Sequence, residues 1–83
     1  MKYHLFKNVI DNSGVVVVDE LKVMFEERFE KDFGIKPILL ESSDNLISLR
    51  FKAVRMIPQE PSQEIIDAVT NHINNKLNKQ DAN

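Results

Sequence analysis

The sequence predicts an α+β domain, built as a two-layer β-α-β-β-α sandwich with a three-stranded sheet. Two segments repeat their apolar residues with the period of a helix, three shorter segments are rich in β-branched and aromatic residues, and turn-forming residues separate them. A right-handed crossover between the first two strands leaves room for the third strand between them. We therefore expect the strand order 1-3-2, with both helices on one face of the sheet.

The first strand is predicted over residues 3–10, and the turn-forming residues 11–14 follow it. Residues 15–18 are four valines, which fit an extra strand, an extended lead-in or a first helical turn. Because β-branched side chains lose χ1 freedom in a helix, we prefer the lead-in, with Asp19 as the helix N-cap.

The first helix is predicted over residues 20–33, since apolar side chains recur every four residues and Gly34 follows as a C′ residue. Its apolar stripe consists of Leu21, Phe25, Phe29 and Phe33. The last helix is predicted to begin after Ser62, a favourable N-cap. Its apolar side consists of Ile65, Ile66, Val69, Ile73 and Leu77.

The second and third strands are predicted over residues 38–42 and 46–57. The short connection at residues 43–45 predicts that they form an antiparallel hairpin. Pro37 fits the start of a strand or a sheet edge, and Pro58 ends the third strand because proline has no N–H for the ladder.

Residues 1–77 are predicted to form one domain, with a polar tail over residues 78–83. The 83-residue chain has no cysteine, so it forms no disulfide, and structural zinc is disfavoured with only two histidines as nitrogen ligands. No segment approaches the ~20 apolar residues of a membrane span, and we expect a cytoplasmic protein. The net charge of −2 gives no overall attraction to nucleic acid or anionic lipid.

Two helices cover only one side of such a sheet, so the other side is expected to expose apolar residues. Period-two geometry in the third strand places Leu49 and Phe51 toward the helices and the basic residues on the open side. The first strand is apolar on both parities, so which parity faces the helices stays open. Apolar patches with charged rims are typical of interaction surfaces. The predicted partner-contact residues are Phe6, Leu39, Arg50, Lys52, Val54 and Met56.

No residue pattern predicts catalysis, a metal site or a cofactor. The chain has only two glycines, which excludes a glycine-rich phosphate loop, and the acidic residues of the first helix are expected to face solvent. A small enzyme would need a pocket that joins residues distant in sequence, such as His4 and a carboxylate.

The sequence therefore favours a small non-enzymatic module that binds a protein partner or forms a homodimer. The frequent asparagines suggest a bacterial or phage accessory protein. The alternative is a weak nucleic-acid-binding domain that uses Arg50, Lys52 and Arg55, with the basic open face of the third strand as its surface. No small-molecule substrate is evident.

Overall fold

A computed structural model describes residues 1–81, with side chains described as far as residue 78. Within this range, a three-stranded sheet and three α-helices form an α+β fold, which confirms the predicted class and the number of strands. The elements are β1 (Tyr3–Lys7), β2 (Gly14–Val18), a 3₁₀ turn (Asp19–Leu21), α1 (Lys22–Phe33), β3 (Ile38–Ser43), α2 (Leu46–Arg55) and α3 (Gln63–Asp81).

The four valines belong to β2, so the preferred lead-in interpretation is wrong and the extra-strand interpretation is right. β1 ends at Lys7 because the chain turns back immediately afterwards. The Asn8 N–H donates to the Ser13 carbonyl at 2.8 Å, and Asn12 has the left-handed φ of 64° that such a turn requires. β1 and β2 thus form an antiparallel hairpin, in which Tyr3 lies opposite Val18.

The helix predicted over residues 20–33 is confirmed, although its first turn is 3₁₀ and no side chain caps it. The expected N-cap, Asp19, instead bonds to a histidine of β1. Three aromatic rings of α1 stack along its inner side, and the first of them, Phe25, lies 5.1 Å from the ring of Phe6. Gly34 ends the helix with a φ of 78°, as its position predicted.

Residues 46–55 form α2, so the prediction of a third strand over residues 46–57 is wrong. Asn45 is the N-cap, and its side-chain oxygen accepts from the Ser48 N–H at 3.0 Å. The inward residues repeat with a helical spacing and are Leu46, Leu49, Ala53 and Met56. The outer side of α2 is also apolar, so apolar residues recur at strand spacing as well as at helical spacing along this segment. The sequence pattern therefore also fitted a strand.

The strand order is β2-β1-β3, and both pairings are antiparallel. The segment predicted as the central strand is therefore absent from the sheet, and β1 lies at the centre instead. Its two sides face different helices. The Phe6 side packs against α1, whereas Gly14, which shares the Leu5 side, approaches Ala53 of α2 and Met56, which follows the helix.

The face that was expected to be open is therefore covered by α2, so helices lie on both faces of the sheet rather than on one. Leu5 and Leu49 are almost completely buried on this side, and Phe6 and Phe29 are buried on the other. α3 packs against α1, which lies between it and the sheet. Residues 78–81 of the predicted tail continue α3, and residues 82–83 lie outside the described residues.

Candidate functional site

A groove of about 560 Å³ runs between β2 and α1 on the surface of the domain. Its walls are almost entirely apolar, with Leu21 and Met24 about half exposed or more. The lining residues are Val16, Val17, Val18, Leu21, Met24, Phe25, Arg28, Phe29, Asp32 and Phe33. Because they extend from one end of α1 to the other, the groove is about 18 Å long, at 1.5 Å of helix per residue.

β2 borders this groove as an edge strand, with free backbone groups on its outer side. The Asp19 N–H donates to the Lys2 carbonyl at 2.9 Å, which makes these residues a hydrogen-bonded pair. Since such pairs alternate along an antiparallel ladder, Val17 bonds to β1, and its neighbours Val16 and Val18 direct their N–H groups outward. The Val16 C=O is also directed outward, whereas Val18 is the N-cap of the 3₁₀ turn and its C=O accepts the first hydrogen bond of that turn. The described residues provide no backbone partner for those outward N–H groups.

The other edge of the sheet is less suited to pairing. β3 contains a register irregularity opposite the Leu5–Phe6 step, and Pro37 precedes its first residue. Bulges and proline are devices that discourage strand addition at an edge. β2 has neither a proline nor a charged residue nor a register irregularity, so its edge is the unprotected one.

The charges around the groove largely cancel. Within its wall, Arg28 and Asp32 neutralise each other through a contact of 3.1 Å. At the end where β2 finishes, the acidic Asp19 and Glu20 are accompanied by Lys2 and Lys22, whose charges act on Asp19. This end of the groove therefore has no net acidic character.

A second apolar surface lies on the outer side of α2. Ile47, Phe51 and Val54 are 67%, 60% and 77% exposed, and together with Arg50 they line a shallow depression. These residues are spaced at i, i+4 and i+7, so they form one stripe along the helix. We refer to Ile47, Phe51 and Val54 as the outer stripe.

The structure does not bring the six predicted contact residues together. Phe6 is completely buried against Phe25 and belongs to the core, which corrects its prediction as a surface residue. Leu39 is 44% exposed on β3, while Met56 lies half-buried beside Gly14. The other three residues lie on α2 rather than on a sheet face, and they are Arg50, Lys52 and Val54.

A hydrogen-bonded array centred on His4 was missed by the sequence analysis. The buried imidazole has its Nδ1 2.7 Å from the Ser42 hydroxyl and its Nε2 2.7 Å from the Asp19 carboxylate. Since a carboxylate only accepts, Nε2 carries a proton toward Asp19, and the Ser42 hydroxyl can either donate to Nδ1 or accept from it. The hydrogen bond from His4 lowers the pKa of Asp19 below its ordinary value of 3.8.

Serine, histidine and aspartate in this order also form the chain of a nucleophilic triad. Here the carboxylate is mostly in water, with 58% of its side chain exposed, and neither groove includes any of the three residues in its lining. A site for acyl transfer needs a cleft that holds the substrate beside the nucleophile. The geometry instead fits a stabilising role, because the hydrogen bonds of His4 on the central strand connect β3 to the end of β2.

The second histidine has a different structural role. His72 of α3 donates from Nε2 to the Lys31 carbonyl near the end of α1 at 2.7 Å. Its ring also lies so close to Gly34 that a Cβ there would come within 2.7 Å of it. Among the described residues, no group of three or more metal-ligating side chains comes together.

Comparisons of the chain with protein-family models, with curated proteins and with solved structures find no match. In the part of the chain that the structure describes, no helix is both long and apolar enough to cross a membrane. A fold alone does not determine function, so the geometry of the surface is the feature that indicates what the domain binds.

Proposed function

We propose that this domain is a protein-interaction module that binds an extended segment of another polypeptide along β2. The observation that carries the proposal is the apolar groove beside an unprotected sheet edge. In strand addition, backbone hydrogen bonds to the edge provide affinity, and pockets for alternate side chains provide specificity. β2 provides both backbone groups of Val16 and the N–H of Val18, and α1 provides the apolar wall.

The groove also defines the chemistry of the segment. Alternate side chains of an added strand point to one face, so those directed toward α1 are apolar and the others are unrestricted. A segment antiparallel to β2 has its first residue near Glu20, where the neighbouring acidic and basic side chains give no net preference for charge. The preferred ligand is thus an extended segment in which every second residue is apolar.

Substitution of Val16 by proline tests this proposal. The Val16 N–H points away from β1, so Val16→Pro removes a donor for the ligand and leaves the β1–β2 ladder intact. The probe is a fluorescent six-residue peptide that alternates valine and threonine behind an N-terminal lysine. We expect at least a tenfold loss of its affinity in Val16→Pro, measured by fluorescence anisotropy.

Val16→Thr is the matched control, because threonine keeps the N–H and the β-branched shape, and its affinity should stay close to that of the wild type. On binding, the Val18 amide should become protected from hydrogen exchange in the NMR spectrum. Equal binding to the wild type and Val16→Pro, or no binding together with an unprotected Val18 amide, would contradict strand addition. Sedimentation of both proteins shows whether a second copy occupies the same edge.

The remaining parts of the proposal follow from composition and from the absence of a substrate cleft beside His4. We infer a non-enzymatic accessory protein of bacterial or phage type that acts in the cytoplasm without a cofactor. The nucleic-acid alternative loses its geometric support, since its basic residues lie on α2 and Lys52 is paired with Glu41.

A further inference from the structure

The outer stripe of α2 does not line the groove between β2 and α1, because α2 covers the opposite face of the sheet. α2 is apolar on two sides. Its inner side buries Leu49 completely against the sheet, whereas the outer stripe lies in solvent. Ile57, just beyond the helix, extends the exposed surface with 75% of its area accessible. An apolar ridge of this spacing is the pattern that amphipathic helices present to a partner.

Basic side chains flank the outer stripe on both sides. At roughly 100° per residue, Arg50 lies about 100° from Phe51 in one direction and Arg55 about 40° in the other. Lys52 is already paired with Glu41, but Arg50 and Arg55 take part in none of the ion pairs among residues 1–78. α2 itself contains no acidic residue.

We propose that the outer face of α2 is a second docking surface, which binds an acidic amphipathic helix of a partner protein. The apolar ridge of the partner helix would pack on the outer stripe, and carboxylates on either side of the ridge would pair with Arg50 and Arg55. Aromatic and arginine side chains are the types that contribute most to binding at interfaces, and Phe51 and Arg50 adjoin each other here.

Charge complementarity distinguishes this partner from the other candidates. If two copies of α2 packed antiparallel about Phe51, the two Arg50 side chains would approach each other, which disfavours a homodimer through this face. Nucleic acid and anionic bilayers carry a dense negative charge, and a chain with a net charge of −2 has no general attraction to them. Two arginines match a pair of carboxylates instead.

The test uses two synthetic helical peptides of equal length with the same leucine ridge. One carries glutamates on both sides of the ridge, and the other carries lysines at the same positions. We expect the wild-type protein to bind the acidic peptide at least tenfold more tightly, as measured by fluorescence anisotropy. Phe51→Ala should reduce that affinity at least tenfold, and the double variant R50E/R55E should reverse the preference between the peptides.

The double variant K31E/K36E is the charge-matched control, since both lysines are exposed outside α2 and their substitution should leave the preference unchanged. Equal binding of both peptides, or a preference that survives R50E/R55E, would overturn the proposal. Tighter binding to phosphatidylserine vesicles or to an oligonucleotide than to the acidic peptide, lost in R50E/R55E, would also overturn it. The outcome does not depend on the groove, because none of these residues lines it.

Discussion

His4 is the buried polar side chain on which three strands converge. It lies on the central strand, and its two ring nitrogens reach Ser42 of β3 and Asp19 at the end of β2. A buried imidazole without partners would be costly, and both nitrogens are satisfied here. The side chain of His4 therefore connects the strands to one another, in addition to the hydrogen bonds between their backbones.

Asp19→Asn should change the dependence of stability on pH. The pKa of Asp19 is lowered in the folded state, so its carboxylate contributes stability that is present above its ordinary pKa of 3.8 and is lost as pH falls through the lowered folded value. We expect the advantage of the wild type over Asp19→Asn in urea denaturation to be present at pH 7 and to be smaller at about pH 3, below the ordinary pKa.

Asp44→Asn is the matched control, because Asp44 is exposed and belongs to none of the ion pairs of the described residues. Its substitution should have little effect at either pH. A difference between wild type and Asp19→Asn that is the same at both pH values would show that the hydrogen bond from His4 does not depend on the charge of Asp19.

At the scale of elements, two substitutions in α2 distinguish a helix from a strand at residues 46–55. In a strand, Leu49 and Phe51 would share one face, but in α2 they point in opposite directions and are 0% and 60% exposed. Leu49→Ala should therefore cost about 2–5 kcal/mol of unfolding free energy, and Phe51→Ala no more than about 0.5 kcal/mol. Chemical denaturation measures both, and equal losses would contradict the helix.

The elements with a single apolar periodicity could be predicted from sequence, and α2 could not. α1 has one stripe of phenylalanines and a glycine at its end, so its limits were predicted almost to the residue. In α2, apolar residues occupy both sides, and the same letters also satisfy the alternation of a strand. Asn45, three residues before Ser48, was the available signal for a helix N-terminus.

The candidate site depends on the two segments whose structure was predicted wrongly. The groove needs β2, which the sequence analysis treated as a lead-in, and the outer stripe needs α2 as a helix. The expectation of apolar residues on the surface was itself sound, although they lie elsewhere than on an open sheet face. The position of these apolar residues depends on packing between segments that are distant in sequence. The periodicity of a single segment gives no information about that packing.

On the scale of the whole molecule, α1 and α2 cover the two faces of the sheet, while α3 packs against α1. The contact of α3 with α1 includes the hydrogen bond from His72 to the Lys31 carbonyl and the close approach of its ring to Gly34. Regions with few tertiary contacts open at lower free energy than the core. We therefore expect α3 to exchange its amides faster than β1.

His72→Ala should weaken this attachment selectively. Amides of α3 should lose protection from hydrogen exchange several-fold, because the bond to Lys31 is removed, while amides of β1 keep theirs. Asn75→Ala, at an exposed position of the same helix, should leave both sets unchanged. An equal loss of protection in α3 and β1 would indicate that the molecule unfolds as a single cooperative unit.

The difference between the two sheet edges limits how the protein assembles. A strand that joins β2 presents its own far side to solvent. Addition of a strand at the other edge of the sheet is discouraged by the irregular pairing of β3 and by the proline before it. Two copies joined through β2 would leave only β3 edges outside. Such a sheet stops at a closed pair, so an edge open enough to capture a ligand does not lead to fibres.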